Sequence, residues 1–381
     1  MSEITISLRE CINNNRCMRN KPSSMTGGGR LISLDIMRIA LAFLIYLFHS
    51  HMHFNCDYYF FNDFVSLGAI SMTGFFMLSG YCLHLSNFSK DLTKLPEIKI
   101  FYLKRFITIL PAYYFIALTY TIYGTAEGLV TVKENVLLFL FETLCLQSTI
   151  TSLFSYSHNG GTWFISCIMI MYLVYPFLQE LLKQMSNKAK MCLAFILCVI
   201  LLWAPFVVIV LGFGFVSLYA NPFFRLLEFT IGVIIAQINY SEESNKILNL
   251  LRTKESLLFI LFFFFFAVTF SCRIGIPVDY MLFNWIAIPC FIGIMIPLGY
   301  IEFKKLQNTK WLLYLSSISY AFFLCQILPI WKYSGILCDL LGSRANILKI
   351  AVSFTYCFLG AILIHELIEK KSSKYLRAKL L

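Results

Sequence analysis

Charge is what this sequence has least of. Only 13% of its 381 residues are Asp, Glu, Lys or Arg, against about 25% in an ordinary soluble domain. A water-soluble globular enzyme is thereby excluded. The thirteen cysteines form no C-x-x-C pair and no zinc-ligand spacing, so neither a redox motif nor a metal module is read from them. They lie scattered through apolar runs as packing residues. No apolar core marks a secretory signal in the first 30 residues, which are polar and end in Gly27-Gly28-Gly29-Arg30. The chain shows no internal repeat of 20 to 50 residues, no flexible linker and no soluble domain.

What is present is grease. The apolar fraction is 59% and the mean hydropathy +0.75, which describe a polytopic membrane protein. Ten spans are expected, near 34–53, 64–86, 106–123, 163–182, 191–211, 223–240, 256–271, 283–302, 312–333 and 346–369. The fold class is therefore all-α, a transmembrane helix bundle. The net charge of +11 does not mark a nucleic-acid partner, because the cations sort by loop. Of 31 basic residues, 24 fall on one side of this topology, six on the other, and Arg38 lies within the first span. By the positive-inside rule both termini are cytoplasmic. Residues 1–33 then form a cytoplasmic N-terminal segment, 34–369 the transmembrane domain and 370–381 a basic cytoplasmic tail. Residues 135–147 are apolar but too few to cross, and Glu142 lies among them. They are expected as an interfacial or re-entrant helix on the outer face, and the tract Phe262 to Phe266 as a plain lipid- or core-facing run.

The first span organises the chain. It carries Arg38 near one end and His49 near the other. Eleven steps of 100° bring the two within about 20° of each other, and roughly 16 Å apart along the axis. A guanidinium at membrane depth costs at least about 2.5 kcal/mol, so it normally faces a partner or a polar cavity. Singly, a snorkelling Arg and a His bonded between helices also account for these residues; the aligned pair points to a site. His53 follows one turn beyond His49 on the same face. Span two has small residues at its centre, Ser79 and Gly80, which equally suit close helix packing. Lys104 and Arg105 precede the third span, as topology anchors or as a clamp for phosphates.

These features together resemble the integral-membrane acyltransferase family 3, whose members acylate sugars of cell-envelope polymers. The family's opening motif is matched by Leu34, Asp35, Arg38 and His49, and its Phe-Phe-x-Leu-Ser-Gly signature by Phe75 to Gly80. Lys104, Arg105, Ile109, Pro111 and Tyr113 match its basic pair before Ile-x-Pro-x-Tyr. Thr162-Trp163-Phe164-Ile165, the helix Arg225-Leu-Leu-Glu228-Phe229, Ile318-Ser319-Tyr320 and Ile368-Glu369 match the later motifs in order. Three positions depart from the pattern: Ile168 replaces an acid, Thr108 an Arg, and Gln326 a His.

The resemblance implies an O-acyltransferase of the bacterial cytoplasmic membrane. Acetyl-CoA or another acyl-CoA would be the donor, with no tightly bound cofactor and no metal. The acceptor would be a hydroxyl of O-antigen, capsule, exopolysaccharide or a lipid-linked glycan. His49 and Arg38 would be catalytic. A neutral imidazole takes a proton from a sugar hydroxyl or accepts the acyl group itself, and the guanidinium holds the thioester carbonyl or a CoA phosphate. Asp35, Ser79, Lys104, Arg105, Trp163, Arg225 and Glu228 would bind substrate. Two other classes fit the composition: a carrier of a glycan or lipid-linked sugar, which paired broken helices would favour, and a scaffold without catalysis.

Overall fold

The computed structural model describes residues 31–149, 160–212, 218–241, 246–273, 283–301, 303, 306, 309–343 and 345–381. Residues 1–30, most of the 148–162 stretch with His158, and Lys304 and Lys305 lie outside them. Among the described residues the regular elements are all helical: α1 (Ile32–Phe54), α2 (Asn62–Ser66), α3 (Ser71–Asn87), α4 (Leu95–Ala126), α5 (Val132–Thr143), α6 (Trp163–Gln184), α7 (Asn187–Val210) and α8 (Pro222–Asn239). Further along the chain come α9 (Lys246–Leu251), α10 (Lys254–Arg273), α11 (Asn284–Leu298), α12 (Lys310–Leu324), α13 (Leu328–Leu340), α14 (Asn346–Ile364) and α15 (Lys370–Leu380).

Among the described residues, eight helices are long and apolar enough to cross a membrane, and a ninth crossing results if the bent pair α12 and α13 is one span. Each of the ten expected spans has a helix, but two differ from expectation. At 15 residues α11 is short, about 22 Å against a hydrocarbon core of about 30 Å. The expected 312–333 helix is broken by 92° between Leu324 and Leu328. Pro329 explains the break: in a continuous helix its ring would clash with the Cys325 carbonyl, and it has no N–H to offer it. Instead the Cys325 carbonyl accepts from Ile327 N at 2.9 Å.

Other boundaries follow local chemistry. Asn55, in the left-handed region at φ 51°, ends α1. The α8 terminus is capped by the Asn221 side chain on Phe223 N and Phe224 N, both at 3.0 Å, with Pro222 next. In α5, Thr131 and Glu134 form a capping box, and its 12 residues are too few to cross. Helix α4 begins at Leu95 and runs 32 residues, so Lys104 and Arg105 stand on a helix and not in a loop. Its length of about 48 Å exceeds the hydrocarbon core. A π-helical turn at His365–Glu369 joins α14 to α15, which makes the basic tail helical.

The centre of the bundle is α3, packed between α1 and α8. The α3 and α8 spans are each 72% buried, whereas α7 is only 17% and α10 22% buried. Lipid-facing phenylalanines account for α10: Phe262 and Phe266 are exposed, whereas Phe264 turns inward. Glycine lets α3 and α8 touch backbone to backbone. A Cβ on Gly80 would strike the Phe229 carbonyl oxygen, and one on Gly232 the Met77 carbonyl oxygen. Neither obstacle is the movable tip of a side chain. Gly80→Leu or Gly232→Val should therefore cost at least about 1 to 3 kcal/mol, read as a lowered melting temperature of the detergent-purified protein. A melting temperature unchanged in both variants would refute this close crossing.

Candidate active site

Arg38 emerges from α1 one turn after Asp35, and α12 supplies their common partner. Asp35 Oδ1 accepts from Arg38 Nη1 at 2.8 Å and from Ser316 Oγ at 2.6 Å. Arg38 also donates to Ser316 Oγ at 3.1 Å and contacts Cys82 Sγ on α3 at 3.6 Å. Asp35 is buried, whereas the Arg38 side chain keeps 32% of its surface open. The carboxylate thus orients a guanidinium that still faces open space.

Three turns on, His49 Nδ1 lies 2.8 Å from Gln326 Oε1. Gln326 sits in the break between α12 and α13, where its Nε2 donates to the Phe322 carbonyl at 3.2 Å. That bond turns Oε1 toward His49. An amide oxygen only accepts, so Nδ1 carries the proton and the lone pair of the neutral ring resides on Nε2. The His53 ring lies 5.6 Å from that of His49 and 6.4 Å from that of Trp331.

A cavity of about 390 Å³ lies beside Arg38. It follows α3 from Ser86 to Met72, about 21 Å of helix. Arg38, Ser79 and Arg105 line it, while His49, Asp35, Lys104, Trp163, Arg225 and Glu228 do not. Arg105 holds its guanidinium over the Phe101 and Tyr172 rings at 5.7 and 5.9 Å, and its buried Nε has no hydrogen-bond partner among the described residues. In the loop after α3, burial and the Lys104 and Arg105 charges push the Lys90 ammonium down. Lys90, Lys104 and Arg105 thus lie within electrostatic reach of one another, with the Glu97 carboxylate acting against them on Lys90. At the cavity end away from Arg105 stands Phe323, whose ring is 6.4 Å from that of His49. Ile168 belongs to the cavity wall, so the replaced acid leaves an apolar surface there. Thr108 is exposed and bonds back to the Lys104 carbonyl at 2.8 Å.

Trp163, Arg225 and Glu228 come together elsewhere. Arg225 donates through Nε to the Tyr219 carbonyl at 2.6 Å, and through Nη1 to Thr73 Oγ1 at 2.9 Å and Glu228 Oε1 at 2.7 Å. The rings of Tyr219, Phe76 and Trp163 surround its guanidinium at 4.7, 5.5 and 5.6 Å. Its exposure is 0%, so this cation is enclosed by protein and joins α3, α6 and α8. Sequence motifs grouped it with the binding residues; the fold separates it from the cavity. Gln326, Ser316 and Phe323 were not among the expected site residues. Pro329 was the one sequence signal for the break that presents Gln326. Removing one partner of a buried pair costs about 3 to 5 kcal/mol, whereas replacing both by apolar residues costs far less. Glu228→Ala should accordingly destabilise the purified protein more than the double change Arg225→Met, Glu228→Leu, measured by thermal unfolding. The reverse order would refute an enclosed ion pair.

A protein-family model described as an acyltransferase domain matches residues 31–366. Among curated proteins and among solved structures, nothing matches the chain. With a match over most of its length, eight helices among the described residues able to cross a membrane and the Arg38 and His49 motif on the first of them, the chain belongs to the acyltransferase 3 family of membrane enzymes.

Proposed function

We propose that this enzyme moves an acetyl group from cytoplasmic acetyl-CoA to a hydroxyl of a cell-surface polysaccharide or lipid-linked glycan. The observation that carries the reading is the His49–Gln326 pair, which frees Nε2 beyond one end of a cavity whose other end is cationic. Both termini are assigned to the cytoplasm on the sorting of the basic residues. The Arg105 end of the cavity then opens on the donor side, in a bacterial cytoplasmic membrane.

Cations attract CoA phosphates through charge-assisted hydrogen bonds. Arg105, with its unpartnered Nε, is assigned the nearest phosphate, with Lys104 and Lys90 adding field. The pantetheine arm follows the cavity past Ser79 and Arg38. Because Arg38 and His49 are roughly 16 Å apart along α1, they do not share one carbonyl. Arg38 grips the arm, and His49 works at the thioester. There Nε2 takes the proton from the glycan hydroxyl as its oxygen attacks the carbonyl carbon, and the protonated ring returns that proton to the departing sulfur, so that CoA leaves as the thiol and the imidazole is neutral again. Trp163, Arg225 and Glu228 act on the acceptor side only indirectly, by holding α3, α6 and α8 in place. The carrier reading gains one broken span, α12 and α13, but a carrier is expected to have such breaks in corresponding positions of two halves.

His49→Ala should lower acyl transfer by at least about a hundredfold at equal expression. Gln326→Leu should lower it about tenfold or more, since the ring loses the acceptor that holds its tautomer. Gln326→His should retain most activity, because a neutral imidazole also offers an acceptor nitrogen. Mass spectrometry of alkali-released acetate from the envelope glycan measures all three, and undiminished acetate in His49→Ala would end this assignment.

Arg105→Ala should raise the apparent KM for acetyl-CoA about ten- to a hundredfold, corresponding to about 1.5 to 3 kcal/mol for one charged hydrogen bond. Lys104→Ala should have a smaller effect, and Arg38→Lys should not restore wild-type transfer, since an ammonium cannot reproduce the planar fork. Transfer assays in membrane vesicles with donor and acceptor varied separately decide this. A change confined to the acceptor KM would overturn the donor-side assignment.

A further inference from the structure

The cavity and His49 are neighbours without being continuous. Phe323 lines the cavity and its ring also faces His49, with centroids 6.4 Å apart. Two further cavity-wall rings hold it in place. Phe164 meets it edge-on at 4.5 Å and 83°, and Phe75 at 6.3 Å and 68°. All three are neutral, bulky and tightly packed. Phe323 is also one residue from the C-terminal end of α12 and three before Gln326. The break that brings Gln326 to His49 therefore delivers this ring into the passage.

We infer that Phe323 is the gate between the donor cavity and His49, and that it selects donors by acyl length. The inference rests on acyl-CoA being the donor, since it supposes that a thioester advances from the Arg105 end toward His49. An acyl group reaching the imidazole must displace the Phe323 ring against Phe164 and Phe75. A two-carbon group needs the smallest displacement, and each added methylene needs more. Apolar pockets discriminate by about ten- to two-hundredfold per methylene. The wild-type protein should therefore prefer acetyl-CoA to butyryl-CoA by at least about a hundredfold.

The test uses membrane vesicles containing the full-length protein and the envelope glycan of its host, given radiolabelled acetyl-, butyryl- or hexanoyl-CoA. Transfer is counted as alkali-labile label on glycan, and CoA affinity is measured on the purified protein. Phe323→Ala should narrow the acetyl-to-butyryl ratio of kcat/KM at least tenfold, with CoA affinity kept within about threefold. Phe323→Leu should fall between, and Phe323→Trp should slow even acetyl transfer. Should Phe323→Ala lose CoA affinity through misfolding, the Leu and Trp variants carry the comparison. An unchanged length preference in variants that still bind CoA overturns the gate and leaves the donor assignment standing. A wild-type protein that transfers no acyl group from any CoA thioester overturns the donor assignment and the gate with it.

Discussion

Helices in a hydrocarbon solvent gain little from hiding apolar surface from one another, because the lipid tails are equally apolar. What holds them is close packing and the satisfaction of polar groups. In this protein the tightest packing is the crossing of α3 and α8, where Gly80 and Gly232 let the two backbones meet. Around that contact the remaining polar links are arranged. Arg225 reaches from α8 to Thr73 on α3, while Arg38 reaches from α1 to Cys82 on the same helix. A wider crossing would pull Arg225 from Thr73, whereas Arg38 would keep Asp35 on its own helix and Ser316 on α12.

These two arginines show how one residue type serves two ends. Arg225 has a carboxylate, a hydroxyl, a carbonyl and three rings around it, and no exposed surface. Its Nε and Nη1 are taken up by protein groups, although the buried Glu228 Oε2 beside it has no hydrogen-bond partner among the described residues. Arg38 is anchored on one side by Asp35 and Ser316 yet keeps about a third of its side chain open to the cavity. The difference is one of enclosure: Arg225 is sealed among its neighbours, whereas Arg38 opens on the cavity. Arg105 also lines the cavity: its guanidinium stacks on aromatic faces, and its Nε lacks a hydrogen-bond partner among the described residues.

Pro329 connects the backbone to the chemistry. By stopping α12 it leaves a short irregular segment inside the bundle, where Gln326 fixes the proton on His49 Nδ1 and Phe323 ends the cavity. An irregular segment at membrane depth is stable only where protein or a cavity surrounds it. The cavity and the packing around α1 meet that condition here. The pattern departure at Gln326 thus coincides with the partner of the histidine on the first span, and an amide does there what a second imidazole would also do.

Local chemistry in the sequence determined much of this. Hydropathy located a helix for each expected span, and residue spacing aligned Arg38 with His49, because a single helix converts sequence separation directly into angle and distance. Asp35 beside Arg38 follows from the same rule. The motif order identified the family. Pairings across helices were another matter, since they depend on which residues of distant segments reach the same depth. Nothing in the spacing tied Gln326 to His49, 277 residues away, or Ser316 to Asp35, 281 away. Trp163, Arg225 and Glu228 read as site residues because buried charge signals function and structure alike. Only the tertiary structure decided between an enclosed pair and an open one, for enclosure is a property of neighbours that the local sequence does not contain.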